Sequence, residues 1–167
     1  MQCEIDELVV ETSKRFYPTT LATVYIKGDP RFKLVFGDGS EFIHDKKAQY
    51  DVIIVDSSDP VGPANPLFSD EFYANLAQAL KPGGIVCTQG ECMWQNAALI
   101  KKVLTRASTV FGTVDYAFAS VPTYPSGQIG FILATNTKDR EYRVLIRLGV
   151  RLRSLLLRAF AYVSHFG

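Results

Sequence analysis

The run YDVIIVDSSDPVGPA, Tyr50 to Ala64, carries two signals in succession. Tyr50–Val55 is a continuous, largely β-branched stretch of the kind buried on both faces of a parallel sheet. Directly after it come two carboxylates three residues apart, Asp56 and Asp59, on a loop stiffened by Pro60, Gly62 and Pro63. Such a loop holds both groups at a pocket mouth with little conformational entropy left to lose. Paired, fixed carboxylates suit a substrate carrying cationic amines, or a base that must take a proton from an ammonium. The same residues also read as a proline-rich turn with no chemistry attached.

Outward from this run, helical and extended patterns alternate. Glu7–Phe16 has helical character and stops before Pro18; Phe32–Phe36 is a short apolar strand ended by Gly37-Asp38-Gly39. Ser69–Leu80 reads as a helix with Phe72, Tyr73, Leu76, Ala79 and Leu80 on one side, closed by Lys81-Pro82-Gly83-Gly84. Gly84–Thr88 follows as a buried strand, Asn96–Ser108 as a helix, and Thr113–Ala119 and Gln128–Thr135 as the last two strands. Strands alternating with helices predict a parallel α/β sheet with right-handed crossovers. Ligands of such sheets sit beyond the carboxyl ends of the strands.

The polar residues after each apolar run are therefore the candidates. Glu4 and Asp6, Asp38 and Asp56 are acids at three strand ends, and Gln89-Gly90-Glu91 is a further polar one. An acid after the second strand of a nucleotide-type fold accepts hydrogen bonds from both ribose hydroxyls. An Asp-Gly after the third suits an adenine amino group, with glycine admitting the ring close to the backbone. Each acid reads equally as a helix or turn cap. A second rigid segment, Pro122 to Phe131 (PTYPSGQIGF), places Tyr124 between two prolines, where its ring face and hydroxyl suit an amine. Trp94 reads as wall or core.

At 167 residues, 47% hydrophobic and 21% charged, the chain supports one domain with a real core and excludes a disordered tail, a fibre or a disulfide-stapled mini-protein. A net charge of +1 argues against a dedicated nucleic-acid binder. Three cysteines and two histidines make no recognisable zinc set, so no metal is expected. The acidic start lacks the pattern of a secretory signal and no apolar run of spanning length is free of charge, so a cytoplasmic protein with reduced thiols and no membrane partner is expected. Residues 143–167 hold five arginines and no carboxylate, leaving −4 on residues 1–142. With Leu145, Leu148, Leu152, Leu155 and Leu156 in a helical stripe, that tail reads as a surface amphipathic helix, a membrane-interface segment, or a frameshifted or misassembled reading frame.

Taken together, CEID (3–6), GDG (37–39), YDVIIVDSSDPVGPA, GGIVCTQGE (83–91) and PTYPSGQIGF resemble the spermidine synthases, a polyamine aminopropyltransferase family, from about Cys3 to about Thr135. The resemblance implies an α/β, Rossmann-like fold of the class I methyltransferase type, its sheet mostly parallel with an antiparallel last strand. It also implies that the family's first strand and N-terminal β-hairpin domain are not in this chain, which leaves a gap at the sheet centre. Residues 1–137 would form a partial catalytic domain and 138–167 an atypical basic tail. The implied reaction transfers an aminopropyl group from decarboxylated S-adenosylmethionine to putrescine, giving spermidine and methylthioadenosine, with little or no activity expected of the partial domain alone. By resemblance, Asp56 is the catalytic base, and Asp56, Asp59, Tyr124 and Glu91 bind putrescine. Glu4, Asp38, Gly39, Asp56, Ser57 and Pro63 bind the sulfonium co-substrate. No cofactor beyond that co-substrate, no nucleic acid and a homodimer are implied. Putrescine N-methyltransferase, or a catalytically dead paralogue serving as a partner subunit, are the other readings.

Overall fold

The computed structural model describes residues 1–19, 25, 28–57, 62–124 and 126–138, with residues 62 and 63 described by backbone alone. The basic tail from residue 139 onward, Asp59 and the side chain of Pro63 lie outside the described residues.

Among the described residues, eleven elements follow one another: β1 (Gln2–Glu4), α1 (Glu7–Phe16), β2 (Leu34–Phe36), α2 (Gly39–His44), β3 (Tyr50–Val55), a 3-10 segment (Gly62–Phe68), α3 (Asp70–Ala79), β4 (Leu80–Gln89), α4 (Met93–Ala107), β5 (Thr113–Ser120) and β6 (Gln128–Thr135). Local chemistry sets the helix starts. The carboxylates of Asp6 and Asp38 and the hydroxyl of Ser69 accept the orphan amides of Leu8 (2.8 Å), Ser40 (2.7 Å) and Phe72 (3.1 Å). α1 carries Glu7 in its first turn and Lys14 and Arg15 in its last, the order its dipole favours.

The strands form two sheets. β1 and β2 pair in parallel, and a second sheet has the order β3-β4-β6-β5. β3 and β4 are parallel, while β6 runs antiparallel to both β4 and β5. The antiparallel last strand is as expected, and so is the gap. Among the described residues β1 pairs only with β2 and β3 only with β4, so each has one edge there without a strand partner.

The core lies on one side of the four-stranded sheet. Phe72, Tyr73, Leu76 and Ala79, all at most 4% exposed, form the inner face of α3 and pack with Ile43, Leu80, Val86, Ala107, Phe111 and Ala134. Tyr50, Ile53 and Val55 of β3 pack against this cluster. The expectation that β3 is buried on both faces is not met: Val52 and Ile54, on the opposite face, are 54% and 39% exposed. An apolar run signals burial but not which edge or face finds a neighbour. β4 is also longer than its predicted Gly84–Thr88, because the strand begins at Leu80, directly after α3, and carries Lys81–Gly84 within it.

Candidate active site

Four chain segments leave the carboxyl ends of parallel strands on the same side, and each delivers a polar group there. β1 ends on Glu4, β2 leads through Gly37 into Asp38, β3 into Asp56 and Ser57, and β4 into Gly90 and Glu91. A cavity of about 420 Å³ opens between the two sheets, and Glu4, Asp38, Gly39, Asp56 and Ser57 all line it. Its apolar wall comes from Ile5, Phe42, Tyr50, Ile53 and Leu67 among others. Five of the residues predicted to hold the co-substrate thus share one cleft with an apolar wall, the composition of a small-molecule site.

Each acid in the cleft has a different environment. Asp38 is committed to its turn: Oδ1 accepts both the amide and the hydroxyl of Ser40 at 2.7 Å, and these bonds hold its carboxyl below the usual aspartate value. The capping role considered for this residue is therefore real, and it coexists with a place on the cleft wall. Glu4 accepts the Asp6 amide at 3.1 Å, while its own carbonyl accepts the Gly37 amide at 2.9 Å and so ties the ends of β1 and β2 together. Asp6 caps α1 and is not among the residues lining the cleft.

Asp56 is the opposite case. Its carboxyl is raised above the ordinary aspartate value, by desolvation at the end of β3. Burial of the Cys87 thiol and, to a smaller degree, the charge of neighbouring Asp56 push that thiol up to about 11, so it stays protonated at neutral pH. A carboxylate that is accessible from a cleft and has raised basicity suits a proton acceptor.

Beyond β4 the chain makes a tight turn. Glu91 sits at φ +42°, a left-handed conformation uncommon for a residue with a side chain. Glu91 lines a separate small cavity with Ser57, Gln89 and Gly90, so Ser57 borders both spaces. Tyr124, 41% exposed, sits in the loop between β5 and β6, which is closed by bonds from the Val121 amide to Gly127 (2.9 Å) and from the Gly127 amide to Tyr124 (2.8 Å). It lines neither cavity. Trp94 is not core: it is 74% exposed, and its ring N–H donates to Gln128 Oε1 at 3.1 Å. No group of three or more His, Cys, Asp or Glu side chains suited to a metal occurs among the described residues. Among those residues, too, no helix is long and apolar enough to cross a membrane.

Sequence reasoning considered a cap at Asp38 but missed α2, the helix it caps. It also missed Asn96, Tyr116 and Gly130, which surround Glu91. Only the glycine carried a signal, as an isolated Gly inside a strand pattern.

Residues 1–143 match the model of the spermine/spermidine synthase domain. The chain belongs to that family. It is 46% identical over 136 residues to spermidine synthase 2 of Arabidopsis thaliana, covering 80% of this chain and 39% of that protein. It is 48% identical over 134 residues to putrescine N-methyltransferase 2 of Nicotiana tabacum, covering 79% and 37%. Among solved structures, a spermidine synthase in complex with the transition-state analogue AdoDATO superposes with a TM-score of 0.73 at 33% identity, over 82% of this chain and 46% of that one. The Thermotoga maritima spermidine synthase gives 0.70 at 32% identity, over 82% of this chain and 45% of that one. The chain thus spans about two fifths of the length of these curated relatives.

Proposed function

We propose that this member of the spermine/spermidine synthase domain family carries the strand-end half of an aminopropyltransferase site, which joins decarboxylated S-adenosylmethionine to putrescine. The observation that carries this reading is the single cleft shared by Glu4, Asp38-Gly39 and Asp56. Glu4 accepts the ribose hydroxyls, Asp38 and Gly39 face the adenine with Pro63 on its other side, and Ser57 lies beside the sulfonium. Asp59, Tyr124 and Glu91 hold the diamine. The amine nitrogen of putrescine attacks the aminopropyl carbon bonded to sulfur. As the C–N bond forms, the C–S bond breaks and its electron pair leaves with methylthioadenosine. The proton lost by the nitrogen passes to Asp56, whose raised basicity fits the task. The sulfonium is a good leaving group, so positioning and one base supply most of what the protein must contribute. No further cofactor is part of this scheme. Assembly as a homodimer, with residues 1–137 as catalytic domain and 138–167 as a separate tail, belongs to the same proposal.

The identity of 48% to a putrescine N-methyltransferase supports a second reading, methyl transfer from S-adenosylmethionine to the same diamine. Incubation with each sulfonium donor plus putrescine, followed by mass identification of products, separates the two. Spermidine with methylthioadenosine, in the low yield expected of a partial domain, establishes the first reading. N-methylputrescine establishes the second reading, and no product from either donor leaves a subunit that binds without turning over.

A further inference from the structure

We infer that Tyr116 is a positioning residue, acting with Asn96 and Gly130 to lock the Glu91 carboxylate in place for the diamine; this rests on the diamine reading above. Three elements converge on the Gly90-Glu91 turn. The Tyr116 hydroxyl, on β5, donates to the Glu91 carbonyl at 2.8 Å. The Gly90 amide donates to the Gly130 carbonyl, on β6, at 2.8 Å. A Cβ at Gly130 would collide with the Glu91 carbonyl oxygen, the Tyr116 hydroxyl and the Gly90 carbonyl oxygen, so the turn fits only against a bare backbone. From α4, Asn96 Nδ2 donates to Glu91 Oε2 at 3.1 Å. Asn96 itself leaves helical geometry inside α4, at φ −123° and ψ 27°, at the point where its side chain meets Glu91.

A turn at positive φ is most easily made by glycine or asparagine. Here a glutamate occupies it, and its backbone and its carboxylate are held separately. Local strain that the surroundings over-determine is a mark of function rather than of folding need. Glu91 and Ser57, the neighbour of Asp56, line one small cavity. That is where the second ammonium of a diamine whose first nitrogen is at Asp56 would need an anion.

The test uses Tyr116→Phe, which removes one hydroxyl, with Asn96→Leu and Glu91→Gly. Three readouts on the 167-residue chain are amide hydrogen exchange, calorimetric binding of putrescine, and calorimetric binding of methylthioadenosine. Tyr116→Phe is expected to speed exchange of the Gly90 amide about tenfold, with Val86 and Thr88 unchanged, and to weaken putrescine about tenfold at constant methylthioadenosine affinity. Asn96→Leu is expected to weaken putrescine alone, without changing Gly90 exchange. Glu91→Gly, which relieves the backbone, is expected to keep or raise the melting temperature while putrescine binding falls at least tenfold. Unchanged putrescine affinity in Tyr116→Phe, or an equal loss for both ligands, overturns the positioning role alone. A wild-type chain that binds methylthioadenosine but not putrescine overturns the diamine reading, and this proposal with it.

Discussion

Replacing Gly130 by alanine tests the packing on which the Glu91 turn depends, because a single methyl group is asked to enter occupied space. Its Cβ would overlap three oxygen atoms, two of them backbone, and the Glu91 carbonyl is itself held by the Tyr116 hydroxyl. Overpacking of this kind costs about 1–3 kcal/mol. For a chain of this size that corresponds to a melting temperature lower by about 2–12 °C. Gly39→Ala is the control. The new Cβ there would lie 3.7 Å from Leu67 Cδ2, an ordinary contact, in the first turn of α2. Alanine in that turn is expected to be neutral or to stabilise by up to about 1 kcal/mol. Differential scanning calorimetry on the three proteins, with urea unfolding as a second measure, gives both numbers. A Gly130→Ala protein that melts within 1 °C of wild type would refute the close packing and, with it, the argument that the turn is clamped.

Three further outcomes follow from the site. Asp56→Asn is expected to abolish product formation by a factor of about 100 or more, the usual worth of a general base. It is also expected to stabilise the fold at neutral pH: the folded-state pKa of Asp56 is raised, so its contribution is fully present below the unfolded value near about 4 and is lost as pH rises through the folded value. Melting curves of wild type and variant should therefore coincide at low pH and separate toward pH 7, with the variant higher. Asp38→Ala removes the α2 cap at about 1 kcal/mol. Because its folded pKa is depressed, that loss should show above the unfolded aspartate pKa and shrink as pH falls through the folded one, read by melting across acid pH. The double variant Val52→Lys and Ile54→Lys puts charge on the exposed face of β3 and should reduce concentration-dependent association in light scattering, with little change in melting. A large loss of stability there would mean that face is covered.

What the amino-acid order made readable was the part governed by local pattern. α1 and β6 have the bounds predicted for them, since helical period before Pro18 and a short apolar run after Gly127 are signals within one element. The strand-end acids were legible for the same reason: an apolar run followed at once by a carboxylate is a local feature. The missed parts are non-local. Glu91 is held by residues 5 and 25 positions away, through contacts that no window of sequence displays. α2 is six residues long, too short for a helical period to show. Val52 and Ile54 look like core because their composition is that of a buried strand, yet exposure depends on which neighbour lies over them. Tyr124 sits in the β5–β6 loop and lines neither of the two cavities, and its place beside the diamine is part of the proposal. Asp59 and the basic tail fall outside the described residues.

The most direct check on the cleft is an NMR titration of the isotope-labelled chain with methylthioadenosine, following backbone amides. Shifts concentrated at Glu4, Asp38 to Ser40, Asp56 and Ser57, and weakened by Glu4→Gln, are the expected result. Saturable shifts confined to the opposite side of the molecule, or none at millimolar ligand, would contradict the assignment of that cleft to a nucleoside.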